Sequence, residues 1–534
     1  MALEAVARIG VGMRNHAGWG EIEGALGPAE RETLSALLEV ALGVRPAYNA
    51  PVPLSEIQMP QSRLGRLPAA LERIAARDPF SRALHSYGRS FPELVRARAG
   101  NFSDAVDAVL YPSDETEVAE VLDFAARASA AVVPFGGGSS VVGGIGPLPH
   151  HDHALVLSLD TGRLDTVAEV DPLSQTARLG AGLLGPALEG SLRPHGFTLR
   201  HFPQSFEFSS LGGWIATRSG GHFAVGTTHI EDFVSGLTLV SPAGELKTRP
   251  LPASGAGPSL ERMLAGSEGT FGVITEAVMK VAARPAYRAS ESVAFPSMET
   301  ALGALAELVR SRLNPANCRV LDEAESLRSG LGANVRMLVA FESPNVPVDA
   351  LLSVALDLLS AHGGRREAGE GRGERSEAAD KWRSSFIRAP YYADAIIGMG
   401  LVVETFETSV SYAGFPALDQ ATRAAIARVE RARGAHGFVS CRVTHAYSDG
   451  LAPYYTVIAS PGVAEPLSFW AELKEAVTTA FVENGGAVTH HHGVGRYHRS
   501  AFEQSVGDQG RAALGALRRH FDPKGLMNPG VLLG

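Results

Sequence analysis

The chain reads Pro-Phe-Gly-Gly-Gly-Ser-Ser-Val-Val-Gly-Gly from Pro134 to Gly144, directly after the apolar run Ala131–Val133. Glycines that follow a buried strand let main-chain N–H groups approach a ligand, and successive amides in such a loop form an anion-binding concavity. The pattern predicts a loop that holds a pyrophosphate, whereas its apolar, strand-like flanks disfavour a flexible Gly/Ser linker. It is neither a P-loop, because Gly-Lys-Ser/Thr is missing, nor a Rossmann fingerprint that opens a helix.

The residues before this loop predict a β-α-β start. Ala108–Tyr111 is typical of a short buried strand, and Asp114 is placed to cap the helix that follows. Apolar residues then recur at i, i+3, i+4 and i+7, at Val118, Val121, Leu122 and Ala125. This spacing gives the helix one apolar face, and the next strand runs into the glycines.

Two further Gly/Ser-rich patches lie beside predicted strands, at residues 201–221 and 266–276. Either patch alone is a weak signal, because turns also collect glycine and serine. Three such patches within residues 134–276 are much less easily explained by turns. Together they predict contact with one large polar cofactor.

Bulk properties exclude several classes of protein. The chain has 534 residues, which predicts two or more domains. Lys+Arg is 48 and Asp+Glu is 57, and the net charge of −9 disfavours a nucleic-acid partner, which normally needs a basic face. Cys318 and Cys441 are too few for a disulfide framework. Without a signal-peptide pattern or an apolar run of about 18 residues, a cytoplasmic protein is the simplest expectation.

Composition and periodicity divide the chain into three parts. Residues 1–100 alternate helical patches with turns and predict an N-terminal helical extension. Residues 101–283 carry the strands and the Gly/Ser patches, and residues 284–534 alternate helix-like with strand-like runs. Within the last part, the Gly/Arg/Glu-rich stretch 363–377 predicts a solvated loop, with a mobile lid as the alternative.

The order of these motifs resembles a known flavoprotein group. Pro-Phe-Gly-Gly-Gly-Ser-Ser, Phe-Glu-Phe-Ser-Ser-Leu-Gly-Gly-Trp, Thr-Arg-Ser-Gly and Gly-Ser-Glu-Gly-Thr-Phe-Gly-Val-Ile are similar to the FAD-binding domain of the vanillyl-alcohol-oxidase/p-cresol-methylhydroxylase (PCMH) superfamily. Within it, the chain resembles the alkylglycerone-phosphate synthases from His16–Gly20 to Asp522–Gly530. The resemblance implies an α+β fold. A two-lobed PCMH-type FAD-binding domain, 101–283, would precede an FAD-linked oxidase C-terminal substrate or cap domain, 284–534, with an antiparallel sheet and flanking helices.

The resemblance also implies a non-covalent FAD. His222 invites a covalent link, as in some superfamily members, but the synthases that the chain resembles bind FAD without one. Gln204 stands where those synthases usually have aspartate. The residues implied to line FAD are Pro134, Phe135, Gly136, Gly137, Gly138, Ser139, Ser140, Gln204, Ser205, Phe206, Glu207, Phe208, Ser209, Ser210, Thr217, Arg218, Ser219, Gly220, Glu268, Gly269, Thr270, Phe271, Gly272, Val273 and Ile274.

The catalytic candidates lie in the last part of the chain. By resemblance, Tyr454 matches the family's active-site tyrosine, with Tyr455 as the competitor, and a phenol can act as acid or base when its pKa is tuned. Arg319 matches an arginine that the synthases require, although a structural ion pair is the alternative.

The run His490, His491 and His492 matches the family's histidine motif. In a strand, His490 and His492 would share a face, where they would donate hydrogen bonds or move protons. Two imidazoles on one face also suit zinc, but no carboxylate or thiolate lies near in sequence, so no metal is predicted.

One position departs from the family pattern. Where the synthases commonly carry Pro-Tyr-x-Arg-Asp, this chain has Ala393 in place of the substrate-binding arginine. A guanidinium is the natural clamp for phosphate or carboxylate. Its loss indicates either a different substrate or an arginine supplied from elsewhere, such as Arg388.

Two activities follow from the resemblance. The first is synthase-like flavin N5 chemistry on a small hydroxy or keto substrate, with the tyrosine and histidines as acid and base. The alternative is an FAD-linked oxidase or dehydrogenase of a 2-hydroxy acid or other alcohol. A non-enzymatic flavin-binding protein is disfavoured, because ionisable residues from separate segments match the family's site. A lipid substrate and a homodimer are both compatible with the resemblance.

Overall fold

The computed structural model describes residues 8–9, 12–146, 153–366, 377–462 and 465–534. Most of the stretch for which a loop or lid is predicted, residues 367–376, lies outside the described residues. Within them, no helix combines the length and the apolar character that crossing a bilayer requires. Single 3-10 turns lie at Ile22–Gly24, Leu54–Glu56, Arg193–His195, Phe206–Phe208 and Ile230–Asp232.

The first part of the chain consists of short helices joined by extended segments. Its elements are β1 (Arg8–Ile9), β2 (Gly12–Met13), α1 (Pro28–Leu42), α2 (Ala69–Glu72), β3 (Ala75–Ala76), α3 (Pro79–Ser86) and α4 (Phe91–Arg98). Ser90 and Glu93 form a capping box at the start of α4. Phe91 and Leu94 of the same helix belong to the core of the last part of the chain. The extension therefore packs on both of the following parts, since β3 pairs with a strand of the second.

The second part holds two sheets. Its elements are β4 (Ala108–Leu110), α5 (Glu115–Ala128), β5 (Ala130–Phe135), β6 (Leu155–Asp160), β7 (Val167–Asp171), β8 (Thr176–Gly180), α6 (Gly185–Leu192), β9 (Phe197–Thr198), α7 (Leu211–Thr217), β10 (Val234–Ser241), β11 (Gly244–Lys247), α8 (Leu260–Leu264), β12 (Val273–Lys280) and β13 (Ala282–Ala283). The first sheet has the order β3-β4-β6-β5, with β4, β6 and β5 parallel. The second, antiparallel, has the order β11-β10-β12-β8-β7. These sheets are the two lobes.

The predicted β-α-β start is confirmed. The Asp114 carboxylate accepts a hydrogen bond of 2.8 Å from the Glu117 amide and so caps α5. The apolar face of α5 is buried against the first sheet, and β5 delivers the chain into the glycine loop.

The last part is built on one antiparallel sheet with flanking helices. Its elements are β14 (Tyr287–Phe295), α9 (Met298–Arg310), β15 (Asn317–Leu321), α10 (Glu323–Arg328), β16 (Val335–Ser343), α11 (Asp349–Ala361), β17 (Arg365–Arg366), α12 (Glu377–Gly398), β18 (Val402–Glu407), β19 (Val410–Ser411), α13 (Phe415–Arg433), β20 (His436–Ala446), β21 (Gly450–Ser460), α14 (Pro466–Glu483) and α15 (Arg499–Phe521), the last broken at Gly507. The sheet order is β17-β14-β16-β15-β20-β21-β18, and β19 pairs with β21. The predicted α+β architecture is confirmed.

The chain end returns to the first lobe. The Val132 amide donates to the Leu526 carbonyl, and the Asn528 amide donates to the Val132 carbonyl, each at 2.9 Å. The Asn528 side chain then donates to the carbonyls of Gly144 and Glu268. The C-terminal residues thus tie together the loops that follow β5 and α8.

Candidate active site

A cavity of about 370 Å³ lies where the two lobes meet the eight-stranded sheet. Most of the residues implied to contact a cofactor line it: Pro134, Phe135, Gly136, Gly137, Gly138, Ser139, Ser140, Gln204, Ser205, Ser209, Ser210, Thr217, Ser219, Gly220, Glu268, Gly269, Gly272, Val273 and Ile274. The three Gly/Ser patches therefore meet at one cavity. From the opposite side, Tyr454, His491, His492 and Arg319 also line it.

Other residues of the same patches lie behind the cavity wall. Phe206 and Phe208 pack against Trp214 and Trp19, and Glu207 is exposed. Arg218 points outward and pairs with Glu231. The Thr270 hydroxyl donates to the Ser267 carbonyl, and Phe271 packs in the core. His222 also lies outside the wall, with its carbonyl accepting from Arg319.

The glycine loop is shaped by close backbone contact. A Cβ on Gly137 would lie 1.8 Å from the Phe208 carbonyl oxygen, and one on Gly136 would lie 2.2 Å from the Ser210 hydroxyl. Gly138 has a φ of +73°, a conformation that favours glycine. The amides of residues 137–141 donate to no acceptor among the described residues, so a row of N–H groups is available to an anion.

The side chains around this loop fit a large polar cofactor. The Ser267 hydroxyl and the Asn528 amide oxygen are buried at the cavity and have no hydrogen-bond partner among the described residues. Buried polar atoms are normally paired, so both are suited to a ligand. The residues present therefore fit FAD, the cofactor that the resemblance implies.

The N-terminal segment helps to enclose the cavity, which the sequence analysis did not anticipate. The Arg14 guanidinium donates to the Gly137 carbonyl at 2.7 Å. The Trp19 amide donates to the partly buried Asp394 carboxylate on α12. Trp19 itself lines the cavity, so this segment joins the glycine loop to the last part of the chain.

Strand alternation separates the two candidate tyrosines. Tyr454 faces the cavity, where the Arg442 guanidinium lies 4.0 Å from its ring centroid and the His491 ring stacks at 5.9 Å. Tyr455 faces the opposite side, is fully buried, and donates to Asp419 at 3.0 Å. Burial raises the pKa of Tyr454, and Arg442 partly offsets this rise. The Tyr454 hydroxyl is therefore protonated at neutral pH.

The histidine run is wound around a buried carboxylate and is not a strand. Glu407 accepts hydrogen bonds from the amides of His490, His491 and His492 at 2.5, 3.2 and 3.0 Å. It also accepts from the Thr489 hydroxyl. The expectation that His490 and His492 share a strand face is wrong, because three amides that converge on one carboxylate curl the backbone into a loop. Glu407 pairs directly with Tyr454 between neighbouring strands.

The charge of Glu407 is stabilised by this loop. Burial alone would raise its pKa, but His491, His492, His490 and the Thr489 hydroxyl hold the pKa well below the usual value. Its contribution to the free energy of unfolding is therefore complete above about pH 4.3 and is lost as the pH falls towards the depressed pKa.

A Glu407→Gln variant is expected to lose about 1–3 kcal/mol of stability at pH 7, because a charged acceptor of several buried donors becomes a neutral amide. At pH 4 the difference from the wild type should shrink. Urea unfolding of both proteins at the two pH values measures this. A difference that stays constant or widens as the pH falls would contradict the assigned charge.

The histidines form a buried neutral cluster. Burial, more than any neighbouring charge, lowers the pKa of His491 to about 3 and lowers those of His445, His490 and His492. Ring nitrogens of His445, His490 and His491 all lie within 4.8 Å of one another, a spacing that a metal ion can bridge. Each ring already makes hydrogen bonds. We assign no metal to this cluster. That the site works without a metal remains a prediction from the sequence.

Comparison with known proteins places this geometry in a family. Residues 106–249 match the model of an FAD binding domain, and residues 284–532 match that of the FAD linked oxidases, C-terminal domain. Alkyldihydroxyacetonephosphate synthase of Dictyostelium discoideum is 30% identical over 484 residues, which cover 85% of this chain and 78% of the relative. The chain belongs to the alkyldihydroxyacetonephosphate synthase family.

Solved structures agree with this assignment. A structure of alkyldihydroxyacetonephosphate synthase superposes with a TM-score of 0.80 at 26% identity and covers 96% of this chain and 98% of that one. p-Cresol methylhydroxylase has a TM-score of 0.66 at 15% identity, over 86% of this chain and 94% of that one, and shares the fold. The present member of the synthase family is an FAD-dependent enzyme with a PCMH-type FAD-binding domain.

This synthase-family chain carries cavity arginines that the sequence analysis missed. Arg328 and Arg442 line the cavity beside Arg319, and both pair with the buried Glu325, at 2.6 and 3.0 Å. Three arginine side chains thus line the cavity, and two of them share one carboxylate. Burial, with the adjacent Arg442, lowers the pKa of Arg319 to about 9, so it stays cationic at neutral pH.

Ala393 lines the same cavity, but Arg388 does not replace its missing guanidinium. Arg388 instead pairs with Glu30 at 2.8 Å and donates to the Gly24 carbonyl. By contrast, the buried Arg442 Nε has no hydrogen-bond partner among the described residues. A donor on strand β20 is therefore available beside Tyr454, whereas the family's arginine position lies on helix α12.

Proposed function

We propose that this enzyme carries out synthase-like FAD chemistry on an anionic hydroxy or keto substrate, such as a ketone that bears a phosphate. The observation that carries the proposal is the cationic pocket of Arg319, Arg328 and Arg442, which adjoins Tyr454 in the cavity that the glycine loop lines. Three cavity guanidinium groups, of which those of Arg319 and Arg442 are buried, outnumber the one carboxylate that pairs with two of them and favour a phosphate or carboxylate ligand.

The cofactor would occupy the side of the cavity formed by the lobes. Residues 137–141 would hold the diphosphate with their amides, and Ser267 and Asn528 would bond to other polar groups of FAD. Bound FAD supplies an isoalloxazine ring that reacts at N5. Tyr454, His491 and the arginines then form the facing wall, where the substrate would be bound and oriented.

Protonation states suggest separate roles for the tyrosine and the histidines. Tyr454 has a raised pKa and holds its proton, so we assign it as the general acid at Oη. His491 is neutral and lines the cavity, so we assign it as the base. Arg319 and Arg442 would bind the anionic group. His490 and His492 flank His491, and their amides donate to the Glu407 carboxylate, which holds this loop in place.

A second function is favoured by Ala393. Without the family's arginine at this position, the site lacks one phosphate-binding group, and oxidation of a 2-hydroxy acid would use the same remaining arginines, acid and base. The test mixes the anaerobic holoenzyme with 2-hydroxy acids. Flavin bleaching, with turnover on an added electron acceptor, supports oxidation. No bleaching, together with exchange of a long-chain alcohol for the acyl group of an acylated dihydroxyacetone phosphate, supports the synthase-like activity.

An Arg442→Gln variant is expected to raise KM for the anionic substrate about 10- to 100-fold, because a charge-assisted hydrogen bond is worth about 1.5–3 kcal/mol. FAD binding should be unchanged. Steady-state kinetics with either substrate class measures the effect.

The matched control is Arg388→Gln, which removes an arginine outside the cavity and should leave KM unaltered. If KM changes in the control and not in Arg442→Gln, the anion site has been assigned to the wrong arginine.

A further inference from the structure

A chain of hydrogen bonds leads away from the cavity base through Tyr447, Thr228 and His229, which the proposed function does not use. His491 Nδ1 lies 2.9 Å from His490 Nδ1, and His490 Nε2 lies 2.7 Å from the Tyr447 hydroxyl. That hydroxyl lies 3.2 Å from Thr228 Oγ1, which in turn lies 3.1 Å from His229 Nδ1. Of the two linked histidines, His491 lines the cavity and His490 does not.

One fixed acceptor sets the direction of every bond in this chain. His229 Nε2 lies 3.0 Å from the carbonyl oxygen of His490, and a carbonyl only accepts, so Nε2 carries a hydrogen and Nδ1 is the acceptor when the ring has one hydrogen. His229 Nδ1 must then accept from Thr228. Since a hydroxyl has one hydrogen, Thr228 accepts from Tyr447, and Tyr447 accepts from His490 Nε2.

The same reasoning fixes the tautomer of His491. Because His490 carries its hydrogen on Nε2, its Nδ1 accepts from His491 Nδ1. The hydrogen on His491 Nδ1 also faces Glu407, whose oxygen lies 3.6 Å away. His491 Nε2 is left with a lone pair and makes no hydrogen bond among the described residues. The network therefore presents a base at the cavity wall.

We propose that His491, His490, Tyr447, Thr228 and His229 form a proton relay that carries a proton from the cavity to solvent. This inference rests on the proposed function. When His491 Nε2 takes a proton, one proton shifts along each hydrogen bond in the same direction, and His229 Nδ1 receives the last. Only N–H and O–H bonds form and break, one for one. Bulk water then takes the proton from His229.

Two observations support this direction of transfer. Burial lowers the pKa of His491 to about 3, so a proton accepted there is not retained and must move on. At the other end, His229 is half-buried and follows the exposed residues Gly226 and Thr227. The chain thus begins at a buried base and ends close to the surface.

The test compares two breaks in the relay of the FAD-loaded enzyme. His229→Ala removes the terminal imidazole near the surface, and Tyr447→Phe removes the central hydroxyl. Both are expected to lower kcat about tenfold or more with KM unchanged. Free imidazole should restore kcat in His229→Ala, whose deleted ring leaves space for it, and not in Tyr447→Phe. The double variant should be no slower than Tyr447→Phe alone.

Tyr412→Phe is the control, because Tyr412 donates to the Tyr447 carbonyl without entering the chain of hydroxyls and rings. Thr228→Val provides a second central break of nearly the same shape. The relay is refuted if these breaks leave kcat unchanged, or if imidazole fails to restore His229→Ala. Absence of turnover in the wild type with either substrate class would instead refute the proposed function.

Discussion

A Tyr454→Phe holoenzyme is expected to keep its FAD and to lose turnover by a factor of about 10²–10⁴, the usual contribution of a positioned acid or base. The substitution removes one oxygen and preserves the ring that packs between Arg442 and His491. The fold should therefore survive. The flavin absorbance per mole of protein measures cofactor content, and turnover is followed with the acylated dihydroxyacetone phosphate and with 2-hydroxy acids.

Tyr455→Phe is the matched control on the same strand. Its hydroxyl bonds to Asp419 on the far side of the sheet, so its loss should cost about 1 kcal/mol of stability and leave kcat unaffected. The two variants therefore separate chemistry from packing. Full turnover in Tyr454→Phe would remove the tyrosine from the mechanism and leave the acid role to a histidine.

The local sequence was sufficient to predict several elements of the fold. The glycine loop after β5, the cap at Asp114 and the apolar face of α5 depend on neighbouring residues, and each was predictable from spacing. The overall architecture came from resemblance, because the sheet of the last part joins strands from Tyr287 to Ser460 with no short-range signal for their order.

The residues that hold the active-site side chains in position were not predictable from the local sequence. Glu407 precedes the histidine loop by more than 80 residues, and only the pairing of β18 with β21 brings it beside Tyr454. The relay has the same character, since Thr228 and Tyr447 come from different parts of the chain. The residue that replaces the guanidinium missing at Ala393 was not predictable either, because the available arginine donor is on Arg442, whereas the sequence suggested Arg388.

A Gly137→Ala variant is expected to be purified without FAD and without activity. The added methyl group would lie 1.8 Å from the Phe208 carbonyl oxygen, which is backbone and cannot rotate away. Gly137 does not have a positive φ, so alanine tolerates the backbone angle and the effect is steric. Relief requires the loop and the residues around Phe208 to separate, which would move the amides of residues 137–141 away from the proposed position of the diphosphate. The flavin absorbance of the purified protein and titration with FAD measure the loss.

Gly190→Ala is the matched control, because it makes the same change at an exposed position of α6 where a Cβ meets nothing within 4 Å. It should keep FAD and gain a little stability, since alanine favours a helix by about 1 kcal/mol over glycine. A yellow, active Gly137→Ala protein would show that the diphosphate does not depend on this loop. A colourless protein that still unfolds cooperatively would show that the loop forms the cofactor site without being essential to the fold.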